Sequence, residues 1–399
     1  MKFNKYSIFI DLVCILLIGT LVQTILPFNI NRIIGFGLFF VVFMMLLSKN
    51  SKNNLLVLLL SVISVWGSFF ITTDMSTNLS NSIYWLIAVW LIFISKDALF
   101  QKKILNAFNE EKKIIYATII AADVILLVSL FSDSGYKVSF GEKYFVGFTV
   151  HQHTLASAAC FTMCLILIDL CLDKEKNIKI LIRHFIFLLP PIIAVLQSSA
   201  RTFLIPSVIV IVYIFFYKID NRSIKILVLP IAVVVLKVLL MNSNVFERMI
   251  GVTGSNSDTY TSGRTVFWMA DIRAFMQSDM INKIFGHGFE YVQKVNLKVT
   301  NSAIGAHNDY ITLLLGVGIF GLLVYIAVLI GEIKNICTLK SIVKKIMLIV
   351  FLILPSIING FYGYQLLLYS YIFFKSIVLK ESTDFEGENN CTNIKTERN

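Results

Sequence analysis

Charged residues are scarce in this chain. They make up 15% of its 399 residues, against 57% hydrophobic residues, whereas soluble domains carry about 25% charged residues. This composition excludes a nucleic-acid-binding module, and the apolar content exceeds what a single-span receptor needs. Long unbroken apolar runs also exclude a β-barrel, whose strands alternate apolar and polar residues. The composition therefore predicts an all-α polytopic membrane protein.

Cysteine and proline are also infrequent, with six residues of each. The cysteines have no metal-site spacing, and none lies in the longest loop, so we predict neither a disulfide framework nor a bound metal. No cofactor is expected either. The cysteines are Cys14, Cys160, Cys164, Cys171, Cys337 and Cys391.

Twelve apolar runs can be counted along the chain. A helix needs about 20 apolar residues to cross the hydrocarbon core. Backbone groups in the bilayer must be hydrogen-bonded within their own segment, so we interpret each run as a transmembrane helix. The runs are 7–26, 32–48, 55–72, 82–95, 114–131, 145–171, 181–198, 203–217, 224–240, 310–331, 346–358 and 362–379.

Lysine and arginine are distributed unequally between alternate loops. One set of short loops holds 17 of these residues and the other set holds four. Because short cytoplasmic loops carry the excess, we predict a multi-pass protein of the bacterial cytoplasmic membrane with both termini cytoplasmic. The net charge of +11 then follows from topology and requires no nucleic-acid partner.

The spans divide the chain into four parts. Helices 1–9 occupy residues 1–240, and an extracytoplasmic loop with short amphipathic helices occupies 241–309. Helices 10–12 follow over 310–379, and the polar tail 380–399 is predicted to be disordered and cytoplasmic. A retained loop of 69 residues indicates binding or catalysis.

The long loop contains a predicted helix that begins at Arg264, after a capping sequence. One face of this helix would suit a lipid-borne substrate if the helix lies on the membrane. The alternative is a surface helix whose Arg264 is solvated or paired with Asp271. The residues at helical spacing on this face are Arg264, Trp268, Asp271 and Phe275.

Two further polar residues lie at the predicted outer ends of spans. His307 directly precedes the tenth span, where a neutral imidazole can accept a proton from a substrate hydroxyl. Arg201 lies between two closely spaced spans, and its forked donors suit a pyrophosphate. The alternatives are a hydrogen-bonding anchor for His307 and headgroup snorkelling for Arg201.

Two histidines, His151 and His153, open the sixth span. Two residues apart on a helix, their side chains point to nearly opposite sides. They therefore form no metal pair unless the backbone there is extended. We interpret them as candidate substrate contacts.

Four short motifs in the same order resemble the O-antigen ligase and polymerase superfamily of bacterial surface-glycan assembly, which includes the Wzy-like polysaccharide polymerases. The resemblance covers roughly residues 145–335 by motif and the remainder by hydropathy alone. The motifs are Ser199 to Thr202 around Arg201, Ser262 to Arg264 with Trp268, Phe285 to Gly288, and His307 with Asn308 and Tyr310 before a glycine-containing span.

The resemblance implies a GT-C-like fold and a metal-independent, inverting glycosyltransferase that uses an undecaprenyl-pyrophosphate-linked oligosaccharide. It implies that Arg201 and Arg264 hold the donor pyrophosphate and that His307 orients or deprotonates the acceptor hydroxyl. These three side chains should then line one outward-facing cavity. Membrane lipids, a flippase and a chain-length regulator are the implied partners. The substrate contacts are expected at Trp268, Asn308, His151 and His153, although the family often has asparagine where this chain has the last two.

Polymerases and ligases share these motifs. The chain is rich in Ile, Lys and Asn and poor in Ala and Pro, which is typical of a low-GC, Gram-positive source without a lipid A core to receive glycan. We therefore predict a polymerase for capsule, exopolysaccharide or O-antigen. The alternatives are an O-antigen ligase-type transferase and, from a different class, a lipid-linked oligosaccharide transporter, for which we find no internal repeat.

Overall fold

The structure is a computed structural model that describes residues 4–27, 30–48, 51–72, 74–139, 142–173, 178–218, 264–301 and 303–396. The predicted ninth span, 224–240, and the first part of the long loop lie outside these residues. So do the capping residues before Arg264.

The described residues form sixteen α-helices and one β-hairpin. The hairpin pairs β1 (Tyr136–Ser139) with β2 (Glu142–Phe145) in antiparallel register. The helices are α1 (Lys5–Leu21), α2 (Ile30–Leu47), α3 (Lys52–Phe69), α4 (Met75–Ile94), α5 (Ala98–Glu110), α6 (Lys112–Leu130), α7 (Gln152–Leu172), α8 (Ile178–Gln197), α9 (Arg201–Tyr213), α10 (Arg264–Gln277), α11 (Met280–Phe285), α12 (Tyr291–Thr300), α13 (Asp309–Gly316), α14 (Gly318–Cys337), α15 (Ile342–Ile358) and α16 (Gln365–Thr396).

Seven of the described helices are long and apolar enough to cross a membrane, namely α2, α3, α4, α6, α7, α8 and α14. The predicted helical membrane protein is thus confirmed, but the described residues support seven spans rather than twelve. Several of the other apolar runs form shorter helices. For example, α1 and α15 each have 17 residues, and α9 has 13 before it continues as a π-helix over Ile214–Lys218, whereas a span needs about 20.

The predicted tenth span, 310–331, is two helices rather than one. The break lies between α13 and α14, where Gly318 has a φ of 68°. It frees the carbonyls of Leu315 and Gly316, which accept the N–H groups of His287 and Gly288 at 2.8 and 3.0 Å. The break therefore attaches the long loop to the helical bundle.

The predicted sixth span also begins later than expected. The run 145–171 corresponds to α7, which starts at Gln152, because the residues before it form β2 and a turn. Of the most apolar 18-residue stretch of α7, 83% of the residues are buried, against 22% for the corresponding stretch of α3. α7 is therefore a central helix of the bundle, and its first turn reaches the end where the hairpin lies.

The other end of α7 lies in a region of paired charges. Lys112 and Arg183 contact Asp173 at 2.6 and 2.7 Å, and His184 contacts Asp169 at 3.0 Å. Lys112 and Asp173 lie in or next to loops that we predict to be cytoplasmic. The structure brings them to one end of the bundle, while the side of the membrane that this end faces stays a prediction.

A second polar network lies at the same end, between α4, α14 and α16. We call it the Lys375 cluster, and it comprises Ser95, Glu332, Asn335, Tyr371 and Lys375. The Lys375 ammonium contacts Glu332 at 2.5 Å, the Ser95 carbonyl at 2.9 Å and Asn335 at 3.0 Å. Tyr371 donates to the same Glu332 oxygen, so this fully buried ion pair joins three helices.

Candidate functional site

His307 lies in the segment between α12 and α13, in a backbone conformation that few residues adopt. Its φ of 51° is left-handed, which costs a non-glycine residue about 1 kcal/mol or more. Hydrogen bonds on both sides hold it there. The Trp268 indole donates to the Ala306 carbonyl at 2.7 Å, and the Asn308 side chain accepts from Ile311 N–H at 3.2 Å.

The two histidines of the α7 region approach His307. The ring centroid of His153 lies 5.9 Å from that of His307 and 4.9 Å from that of His151. His151 caps α7 with an extended backbone, φ −149° and ψ 148°, and its Nδ1 accepts the His153 N–H. The two side chains therefore lie close together, because the backbone at His151 is extended, which is the exception that the sequence analysis allowed, and only His153 is inside the helix.

Arg264 is the first residue of α10, and its side chain lies near His153 and His307. Its guanidinium donates to the Ile358 carbonyl and to Asn359 Oδ1 at 3.0 Å. The predicted face of α10 points inward, with Asp271 buried beside Asn296, and burial raises the pKa of Asp271 to about 7. Arg264 therefore contacts the turn after α15, whereas the alternative interpretation paired it with Asp271.

Asn359 is the residue that joins these groups, and the sequence did not single it out. Its side-chain amide donates to Thr202 Oγ1 at 2.9 Å and approaches His153 Nδ1 at 3.4 Å, while its oxygen accepts from Arg264. It is 5% exposed. A polar asparagine followed by glycine between two apolar runs was the available signal. We give the name His307 cluster to the set Arg264, Asn359, Thr202, His153, His151 and His307.

Asp309 fixes the turn that presents Asn359. Its Oδ2 accepts from the Phe361 N–H at 2.6 Å and from the Tyr325 hydroxyl at 3.3 Å. Gly360 has a φ of 97°, and a Cβ there would lie 2.7 Å from Asp309 Oδ1. Asp309 follows Asn308 directly, so the segment holding His307 and the turn holding Asn359 are tied together.

The backbone of Arg201 also lies at this end of the bundle. α9 begins at Arg201, and the next side chain, Thr202, hydrogen-bonds Asn359. The Arg201 side chain is outside the described residues. The structure thus brings together Arg264, His307, His153 and His151, and it places the start of α9 beside them.

The surroundings of His307 favour a neutral imidazole. Burial and the nearby positive charge of Arg264 lower the pKa of His307 to about 4. Burial and the charge of Lys137 also lower the pKa of His151. At neutral pH a deprotonated ring can accept a hydrogen bond or a proton, and no described side chain hydrogen-bonds the His307 ring.

Two predicted substrate contacts, Trp268 and Asn308, form hydrogen bonds within the protein. The Trp268 N–H is bound to the Ala306 carbonyl, and the Asn308 oxygen caps α13. Both residues position the His307 segment. Any contact to substrate would therefore use the Trp268 ring or the Asn308 amino group.

The Phe285 to Gly288 motif lies outside the His307 cluster. The His287 Nε2 contacts Ser278 Oγ at 2.7 Å, and its ring stacks on Tyr291. Beyond the motif, Phe289 N–H donates to Asn78 at 3.0 Å. These contacts fasten the long loop to α4 and α13.

A possible metal-binding group lies far from this site. Among the described residues, Asp169, Asp173 and His184 have ligand atoms within 4.8 Å of one another. Lys112 and Arg183 already pair with these carboxylates, which disfavours a cation there.

Comparison with known families adds one finding. Residues 185–326 match the family model Wzy_C, O-Antigen ligase, so the resemblance inferred from the motifs is confirmed for this part of the chain. The matched segment includes Arg201, Arg264 and His307, and it begins after His153. No curated protein matches the chain.

Proposed function

We propose that this protein, which carries a Wzy_C domain, is a polysaccharide polymerase. It joins undecaprenyl-pyrophosphate-linked repeat units on the outer face of the bacterial cytoplasmic membrane, with both termini inside. The proposed fold is GT-C-like with twelve spans. The observation that carries the proposal is the approach of Arg264 and His307 to one another through Asn359 and His153.

The proposed reaction is an inverting glycosyl transfer. The acceptor hydroxyl oxygen forms a bond to the anomeric carbon of the donor sugar, and the bond from that carbon to the pyrophosphate oxygen breaks. The hydroxyl proton passes to His307. Arg264 and Arg201 bind the pyrophosphate and stabilise the negative charge that develops as it leaves.

The low pKa of His307 suits this sequence of events. Arg264 contributes to the lowering, and a bound pyrophosphate would offset that positive charge. The pKa of His307 would then rise toward its ordinary value when the donor is in place, so the imidazole becomes a stronger base only in the loaded site.

The other proposed residues act around this centre. The Trp268 ring and the Asn308 amino group contact the substrate beside His307, and His151 and His153 contact the acceptor sugar from α7. The flippase and the chain-length regulator act before and after this step, and membrane lipids surround the protein.

The test is the incorporation of a purified lipid-linked repeat unit by the reconstituted protein in the presence of a chelator. We expect a ladder of lengthened glycan from the wild type and none from His307→Ala or Arg264→Ala. Lys283→Gln, a charge change elsewhere in the long loop, should leave the ladder intact. A single transfer to a different lipid acceptor would indicate a ligase. Movement of the lipid-linked sugar across the vesicle without a ladder would indicate a transporter.

A further inference from the structure

A groove lies on the long loop, between α10, α11 and α12, on a different face of α10 from the His307 cluster. It encloses a cavity of about 550 Å³, which lies within the size range of small-molecule sites. The side chains that matter to its chemistry are Arg273, Gln277, Asn282, His287, Tyr291 and Lys298.

The groove presents two exposed cations. Arg273 and Lys298 make no ion pair with a described residue. The carboxylate in the groove, Asp279, already accepts from the N–H and the side-chain amide of Asn282 at 2.8 and 2.6 Å. Two cations beside one internally bonded carboxylate leave the groove positive, which favours an anionic ligand.

An aromatic platform forms part of the groove. The rings of His287 and Tyr291 stack with centroids 3.9 Å apart and planes 16° from parallel. The hydrogen bond between Ser278 Oγ and His287 Nε2 and the bond from the His287 N–H to the Leu315 carbonyl hold this platform in place. Flat aromatic surfaces beside fixed polar groups suit the apolar faces and hydroxyls of sugar rings.

The orientation of the groove on α10 favours a glycan over a lipid headgroup as the ligand. The exposed apolar residues of α10 are Val266, Met269, Ile272 and Met276. At about 100° per residue, the groove residues of α10 centre about 95° around the helix from that apolar stripe; they are Ala270, Arg273, Ala274 and Gln277. If the stripe meets the membrane, the groove faces the aqueous side, where a polysaccharide extends.

We propose that this groove binds the glycan chain through carboxylate-bearing sugars, with Arg273 and Lys298 contacting the carboxylates and Tyr291 packing against a sugar ring. This inference rests on the proposed function, because it assigns the groove to the polymer made at the His307 cluster. Arg264 and Arg273 lie nine residues apart on α10, about 13 Å along its axis. A chain that leaves one site can therefore reach the other.

The first experiment measures binding without catalysis. The probe is a hexasaccharide of alternating glucuronate and N-acetylglucosamine, titrated by calorimetry into the detergent-solubilised full-length protein. We expect salt-dependent binding that Arg273→Gln and Lys298→Gln each weaken about tenfold, the size of a lost charge-assisted hydrogen bond. Tyr291→Leu should also weaken it. Lys283→Gln should bind as the wild type does, and thermal unfolding midpoints verify that each variant is folded.

Three results would overturn the inference. One is equal binding by the wild type and Arg273→Gln, and another is an equal loss in Lys283→Gln, which would indicate non-specific attraction. The third is displacement of the hexasaccharide by nanodiscs containing phosphatidylglycerol but not by neutral nanodiscs, which would assign the groove to a lipid headgroup.

The second experiment separates this inference from the proposed function. In the ladder assay, the Arg273→Gln and Lys298→Gln double variant should yield shorter products than the wild type, whereas Lys283→Gln should yield the wild-type ladder. A wild-type ladder that the double variant reproduces in full would overturn the groove and leave the polymerase. Absence of a wild-type ladder, with binding still lost in Arg273→Gln, would refute the polymerase and leave a glycan-binding groove.

Discussion

Two histidines of this protein, His307 and His184, lie at opposite ends of the helical bundle and differ in what their rings contact. Both ring nitrogens of His184 are engaged, one with the Ile180 carbonyl at 2.7 Å and the other with Asp169 at 3.0 Å. No described side chain hydrogen-bonds the ring of His307, which is only half-buried. A ring whose nitrogens are engaged stabilises the fold, whereas an imidazole with an unused acceptor can meet a substrate.

Two polar clusters at opposite ends of the bundle, the Lys375 cluster and the His307 cluster, also differ in their contacts. In the Lys375 cluster the ammonium contacts acceptors from three residues, and a carboxylate balances its charge. In the His307 cluster the Arg264 guanidinium donates to a backbone carbonyl and to the side-chain oxygen of Asn359. These two bonds orient the guanidinium beside His307 and His153.

The largest expected effect separates the two histidines directly. His307→Gln keeps a polar side chain but removes the proton acceptor, so the rate of glycan transfer should fall about 10²- to 10⁴-fold with the thermal midpoint nearly unchanged. His184→Gln should lower the thermal midpoint and leave the rate of the folded protein intact. Initial rates and thermal unfolding in the same detergent measure both. A similar loss of rate in the two variants would contradict the distinction.

The next effect concerns the Lys375 cluster. Lys375→Met leaves the buried Glu332 without its cation, which should cost about 3–5 kcal/mol of unfolding free energy. The double variant Lys375→Met with Glu332→Leu should recover most of that loss, because both buried charges are then gone. Thermal unfolding of the purified protein measures the change. A double variant no more stable than the single one would show that the pair does more than balance charge.

A smaller effect is expected at the turn that carries Asn359. Gly360→Ala forces a side chain into a left-handed conformation, 2.7 Å from Asp309, and should cost about 1–3 kcal/mol while displacing Asn359 and lowering transfer. Gly363→Ala is the matched control, because a Cβ there meets nothing within 4 Å. Equal transfer rates in the two variants would show that this turn does not position the site.

The smallest effect is a shift of the pH profile. Because the pKa of His307 is lowered to about 4, its ring stays neutral as pH falls from 7 and becomes protonated only near pH 4. The acidic limb of kcat/KM, which reports the free enzyme, should therefore lie near pH 4. An acidic limb near 6.5, the ordinary histidine value, would mean that His307 is neither buried nor held beside Arg264 in the free enzyme.

Much of the fold could be predicted from apolar runs, because each run long enough to cross a bilayer must form its own hydrogen bonds. Two places where the backbone leaves a continuous helix were not predicted. The hairpin at 136–145 and the break at Gly318 each depend on a partner segment, and the partner of the break, His287 to Gly288, lies about 30 residues away.

The candidate site was predicted in part. Arg201 stood out because a charged side chain at a predicted span end is costly unless it is used. His307 stood out as a titratable ring directly before a span, and Arg264 as the start of a predicted helix in the long loop. Asn359 was not singled out, although a glycine follows it between two apolar runs, and Thr202 was noted only as the end of the motif around Arg201. Their importance comes from hydrogen bonds that cross 95 and 157 residues of sequence.

Composition and apolar runs were enough to establish a helical membrane protein, and the motifs indicated the segment that matches the Wzy_C family model. These properties follow from local composition, because burial in lipid and helical hydrogen bonding act within a single segment. The packing of the helices brings His307, His153 and Arg264 together around Asn359. It also places Arg273 and Lys298 in one groove with Tyr291. Such approaches depend on how separate helices pack, and no periodicity within one helix specifies its neighbour.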